Sequence, residues 1–136
     1  MGYVVKSNGQ HKARFVAKGF TQIYAIDFEE TFSPVARFES VRLLLSIAAL
    51  EDWEIKALNV KTAFLFGDLD EEIYLEQPEG FIKKDMENKV CRLRKAIYGL
   101  KQAALQWNKA LHQSLLEMGF VHTLSDPGIY VHFQCN

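Results

Sequence analysis

The stretch Leu58-Asn59-Val60-Lys61-Thr62-Ala63-Phe64-Leu65-Phe66-Gly67-Asp68-Leu69-Asp70 decides how the chain is read. Upstream of it, Trp53, Ile55 and Ala57 alternate with Glu54 and Lys56, the period-two pattern of a half-buried strand. That strand is expected to deliver Asn59 at its end, and Gly67-Asp68 to reverse the chain. A polar residue at the end of a buried strand is where an active-site carboxylate would sit. Here the residue is an amide, so any functional argument turns on Asn59.

Outward from this stretch the signals alternate. Lys12 to Ala17 has strand-like alternation with Lys12 and Arg14 on one face, ended by Gly19. Thr21 to Ser33 is irregular. Ser33-Pro34 has the form of a helix start, and Phe38, Val41, Leu45, Ala48 and Ala49 follow helical spacing up to Leu50. Leu43, Leu44, Ile47 and Leu50 make that helix apolar nearly all round, which predicts burial. Ile73-Tyr74-Leu75 predicts a strand stopped by Pro78, Glu79 to Asn88 a polar loop, and Val90 to Ile97 a further strand. After Gly99, the residues Leu100, Ala103, Ala104, Trp107, Leu111, Leu115 and Met118 share one stripe of a long helix with Gly119 as its terminator. Ile129 to Phe133 is a last strand, expected to present an unpaired edge and so to favour self-association. The class is α+β: a mixed or antiparallel sheet packed on two long helices.

Composition bounds the rest. A chain of 136 residues, 49% apolar and 24% charged, fits one globular domain with a sizeable core. Cys91 and Cys135 form no CxxC pair and are expected to be reduced thiols. No secretory h-region occurs, and Met1-Gly2 is not a myristoylation start because Lys6 stands where Ser or Thr is needed. The longest apolar run, Leu43 to Leu50, is far short of a membrane span. The expectation is a soluble intracellular chain, cytoplasmic or nuclear.

The net charge of −1 hides segregation. Residues 1–22 carry Lys6, Lys12, Arg14 and Lys18 without an acid; residues 89–109 carry Lys89, Arg92, Arg94, Lys95, Lys101 and Lys109, again without one. Acids concentrate in residues 23–55 and 68–88. Two basic blocks folding together would make a surface for phosphates; alternatively each pairs with an acidic neighbour. The Asp68, Asp70, Glu71, Glu72 cluster beside Gly67 has the look of a solvated hairpin tip. His11, His112, His122 and His132 show no metal-ligand spacing with the cysteines, and no GxSxG occurs.

Four stretches carry a resemblance: KARFVAKGFTQ, FEETFSPVARFESVRLLLSIAA, LNVKTAFLFGDLDEEIYLEQPEGF and CRLRKAIYGLKQAALQWN. In order and spacing, from about Lys12 to Tyr130, the chain resembles the reverse transcriptase of copia-type LTR retrotransposons. The resemblance implies a partial right-hand polymerase, with residues 1–35 fingers-like and 36–136 palm-like, acting on an RNA or DNA template–primer and deoxynucleoside triphosphates. Polymerases of this kind use Mg2+ held by carboxylates, hard oxygen ligands suited to the ion. In the family one aspartate stands at the position of Asn59, the backbone carbonyl of Val60 is a further metal ligand, and two aspartates come from a Tyr-x-Asp-Asp turn.

This sequence departs from that pattern. Asn59 replaces the first aspartate, no Asp-Asp pair occurs anywhere, and the chain ends at Asn136 just after the strand expected to precede the turn. Replacing a carboxylate by an amide beside a dication forfeits about 4 kcal/mol per unit charge at roughly 4 Å and an effective dielectric near 20. That is about three decades in rate if it falls on the transition state. The expectation is a truncated, catalytically incompetent domain binding no metal. By the same resemblance Lys12, Arg14, Phe64, Gly99, Lys101 and Gln102 match nucleotide-contacting positions, Phe64 as the aromatic gate under the sugar, with Gly99 allowing close approach of a base or sugar. Lys18, Arg92, Arg94 and Lys95 are the expected nucleic-acid contacts. Tyr98 and Trp107 could stack bases, Trp107 also fitting the core stripe. Ala104 stands where the family usually has Pro, and Leu105 where a basic residue often follows. The alternatives to a dead polymerase fragment are a nucleic-acid-binding remnant and a self-associating module.

Overall fold

The computed structural model describes residues 2–133; Met1 and Cys135 lie outside the described residues. The elements are β1 (Gly2–Val5), β2 (His11–Arg14), a 3-10 turn (Gly19–Thr21), α1 (Phe38–Leu50), a second 3-10 turn (Ala63–Phe66), β3 (Tyr74–Glu76), β4 (Val90–Arg92), α2 (Ala103–Glu117), β5 (Phe120–His122) and β6 (Tyr130–His132). The class is α+β, as expected. The single sheet is not formed: among the described residues the strands make three separate antiparallel pairs, β1–β2, β3–β4 and β5–β6.

Two partners were not foreseen. β1 pairs with β2 in the register Val4↔Lys12 and Gly2↔Arg14. β5 pairs with β6, Phe120 opposite His132 and His122 opposite Tyr130, so the last strand has one edge satisfied where none was expected. Most predicted strands are also shorter than their hydrophobic runs, Val90–Arg92 standing for Val90 to Ile97.

The core lies where the chain leaving β2, the approach to β3, residues 96–100 and the start of α2 meet. Ala17, Ile73, Ala96, Ile97, Leu100 and Ala103 are buried there, with Phe15, Phe64, Leu69, Leu75 and Leu93 packed against them. Backbone bonds knit it together: Ala17 N–H to Tyr98 O (2.8 Å), Leu93 N–H to Ile73 O (2.9 Å) and Ala96 N–H to Gly67 O (2.9 Å). The second 3-10 turn seats on α2 through buried Gly67, where a Cβ would come within 2.7 Å of the Gln106 carbonyl carbon. Gly119 follows α2 with φ +86°, the left-handed end the sequence implied.

Three expectations fail. Residues 53–60 form no strand, and all are exposed. Alternation supplies a face for burial, but a strand also needs a ladder partner for its backbone groups, and no described segment provides one. α1 begins at Phe38 rather than after Ser33, whose hydroxyl donates to Ala104 O (3.2 Å). Its cap comes from elsewhere: Asp126 Oδ2 accepts the Arg37 N–H (2.9 Å), with the Ser40 side chain beside the same carboxylate. Finally, α1 is not buried. Only Ala48 is, while Phe38, Leu43 and Leu50 stand exposed.

Candidate functional site

Asn59 lies in the exposed segment, with no hydrogen-bond partner among the described residues, and Val60 beside it is also exposed. Thr62 then reverses the chain at φ +53°, an uncommon conformation for a β-branched residue, and leads into the Ala63–Phe66 turn.

That turn presents Phe64 to Tyr98. The two rings meet edge-on, centroids 5.0 Å apart at 66°. The Arg14 guanidinium also lies over the Tyr98 ring, 5.5 Å from its centroid. The parallel bridge Val16↔Tyr98 fixes this arrangement by holding the end of β2 against residue 98. Arg14 and Phe64, both expected from the resemblance, are therefore brought together around Tyr98. Lys12 shares the strand face of Arg14, two residues away. A cation and two aromatics converging in this way can hold a phosphate and an adjoining flat or sugar-like group.

Other predicted contacts are committed inside the protein. Gln102 is fully buried: its Oε1 accepts from Gln22 Nε2 (3.0 Å), and its Nε2 donates to Asp27 O (2.9 Å) and Glu71 Oε2 (3.3 Å). Lys101 Nζ donates to Gln22 O (3.1 Å) and lies 4.6 Å from the Phe28 ring centroid. Gly99 has φ +92°, and its bare Cα is faced by the Ala17 backbone and the Val16 side chain, where a base or sugar was anticipated. Lys18 is exposed; its backbone carbonyl accepts from Thr21. Trp107 is half-buried against Phe66, 6.2 Å between centroids.

The second basic block meets the acidic cluster. Arg92 pairs with Glu72 (2.6 Å), Lys95 with Asp68 (2.6 Å) and Lys109 with Asp70 (2.7 Å). The Lys109 ammonium, with the Gln106 amide, holds the Asp70 carboxyl below its usual range. Arg94 is exposed and has no ion pair among the described residues. Sequence reasoning missed Gln22, Gln106 and Asp126. The Asp126-Pro127-Gly128 turn was the available signal for the last, and the i, i+4 spacing of Gln102 and Gln106 for the second.

The donor set does not fit a catalytic dication. At the expected position stand an amide and a backbone carbonyl, Asn59 and Val60, while Asp68, Asp70 and Glu72 are neutralised by cations. Among the described residues no group of three or more His, Cys, Asp and Glu side chains is placed to hold a metal. No helix among them is long and apolar enough to cross a membrane.

The α+β chain sets an arginine over one of two edge-to-face aromatic rings, and comparison with known proteins makes the class specific. The family described as "Reverse transcriptase (RNA-dependent DNA polymerase)" matches residues 3–136. The chain belongs to this family. It is 49% identical over 125 residues to the "Retrovirus-related Pol polyprotein from transposon RE2" of Arabidopsis thaliana, covering 92% of this chain and 9% of that protein. Similarity extends to the Pol polyprotein from transposon TNT 1-94 of Nicotiana tabacum, 50% identical over 121 residues, covering 89% of this chain and 9% of that one. The chain thus spans about a tenth of the length of these relatives. No solved structure matches it.

Proposed function

We propose that this chain is a segment of a retrotransposon reverse transcriptase that retains nucleotide- and template-side contacts but does not support metal-dependent DNA synthesis. Asn59 carries the proposal. It stands where the family's first metal-binding aspartate is expected, and an amide offers a dication no charge. Away from Asn59, Arg14 and Phe64 meet at Tyr98 and, with Lys12 on the same strand face, keep the chemistry of a triphosphate and sugar pocket, while Lys18 and Arg94 offer exposed charge to a nucleic-acid backbone. In this reading residues 1–35 are fingers-like and 36–136 palm-like, and the parent protein works inside the cell.

The test exchanges this segment into a full-length relative and measures primer extension with Mg2+. The Asn59 chimera falls at least about three decades below its Asn59→Asp version. Equal extension by the two refutes the reading. Binding is followed separately by anisotropy of a labelled RNA–DNA primer–template at about 50 and about 200 mM salt, where a steep loss with salt reports phosphate contacts.

A second reading, self-association, is favoured by the exposure of Leu43 (62%), Leu50 (84%) and Leu58 (93%) on α1 and the segment after it. In this reading the self-associating surface is α1 and the segment after it rather than the β6 edge. Concentration-dependent sedimentation, abolished by Leu50→Lys, is its expected outcome.

A further inference from the structure

Three of the four histidines lie on the unit formed by α2, β5 and β6. His112, on α2, and His122, on β5, come together with ring centroids 5.6 Å apart and planes at 53°. Each has its Nδ1 committed to an oxygen: His112 to the Tyr130 hydroxyl (2.9 Å), His122 to the Thr123 carbonyl (3.2 Å). A carbonyl only accepts, so His122 carries its proton on Nδ1 to make that bond, and its Nε2 lone pair has no hydrogen-bond partner among the described residues. His112 can adopt the same tautomer against the Tyr130 oxygen.

Metal-bound histidines characteristically use one ring nitrogen for the ion while the other donates to a carbonyl or similar oxygen, which fixes ring and tautomer. We propose that His112 and His122 form a two-histidine site for a divalent transition ion that prefers imidazole, Zn2+ foremost, clipping α2 to the β5–β6 pair. With metal–nitrogen bonds of about 2.0–2.1 Å, two co-ligating imidazoles have centroids roughly 4.5–5.5 Å apart, close to the 5.6 Å observed. His122 is exposed and His112 half-buried, which leaves water for the remaining coordination positions. Mg2+, which wants oxygen ligands, is not a competitor. The site uses none of the residues assigned to nucleotide or template and stands or falls independently of that assignment.

The experiment titrates the chain with Zn2+ by calorimetry and follows its thermal midpoint, alone and with Mg2+ in excess. The expected result is one Zn2+ per chain, a raised midpoint, and no displacement by Mg2+. His122→Gln, at an exposed position that leaves the fold intact, weakens binding about tenfold or more, whereas His11→Gln, on β2, binds like the parent. Absence of Zn2+ binding, or unchanged affinity in His122→Gln, overturns the proposal.

Discussion

Gly99→Ala tests one of the tight backbone approaches beside the core. A Cβ built at Gly99 would overlap the carbonyl oxygen of Ala17 and lie 2.8 Å from Val16 Cγ1 and 3.0 Å from Ala17 N. Relief requires residues 16 and 17 to retreat, which stretches the Ala17 N–H to Tyr98 O bond of 2.8 Å and loosens the bridge that places Arg14 over Tyr98. Overpacking of this kind costs about 1–3 kcal/mol, and loss of the bond about 1 kcal/mol more. The positive φ adds about 1–2 kcal/mol for any L side chain. Together these give about 3–6 kcal/mol, a large share of a typical domain's 5–15 kcal/mol. Gly80→Ala isolates the packing part, because Gly80 also has positive φ (+79°) but nothing within 4 Å of its would-be Cβ. In urea unfolding followed by circular dichroism, Gly99→Ala should lose about 2–4 kcal/mol more than Gly80→Ala. Equal losses refute the close approach and, with it, the account of how Arg14 is placed.

Other outcomes follow from the same geometry. Gln102→Leu leaves the Gln22 amide and the Asp27 carbonyl without their partner and should cost about 2–4 kcal/mol in denaturant unfolding. Asp126 is held below its ordinary carboxyl pKa by the Ser40 hydroxyl and by the Arg37 and Gly128 N–H groups. Its contribution is therefore complete above the unfolded-state value near 3.8 and lost as pH falls through the lower folded value. Asp126→Ala should reduce helicity at neutral pH and flatten the acid limb of the stability curve, leaving the part due to Asp70, whose carboxyl is depressed by Lys109. Neutralising Asp68 and Glu72 as Asp68→Asn, Glu72→Gln frees Lys95 and Arg92, and should tighten primer–template binding severalfold at low salt with a steeper salt slope.

The sequence made α2 legible because its apolar stripe and its terminal Gly119 are both local signals. β3 and β4 were legible for the same reason, as short β-rich runs bounded by turns. What escaped depended on partners distant in the chain. The start of α1 is set by Asp126, far downstream, so the Ser33-Pro34 signature, locally well formed, loses. The Trp53 to Ala57 alternation is a sound strand pattern without a ladder to join. At the candidate site, Arg14 and Phe64 were found as residue types, yet Tyr98, which joins them, was weighed only as a base-stacking ring. Gln102 shows the limit most clearly: an amide suits a ligand or a buried network equally, and only its three partners distinguish the two.

The charge pattern offered two readings, a phosphate-binding surface or internal neutralisation; the structure shows ion pairs for Arg92, Lys95 and Lys109, and the first reading belongs to the proposed function. Arg92, Lys95 and Lys109 are all paired, but every partner in those pairs is about half exposed or more. Exposed ion pairs are worth about 0–1 kcal/mol each and weaken with salt. A nucleic-acid backbone offers such cations repeated phosphates and the release of condensed counterions, a larger gain than one solvated carboxylate supplies. The pairs are therefore weak enough to exchange. Under the proposed function, Asp68, Asp70 and Glu72 are exchangeable partners of the basic block, while the closely packed Gly99 helps hold the frame on which Arg14 and Tyr98 are set.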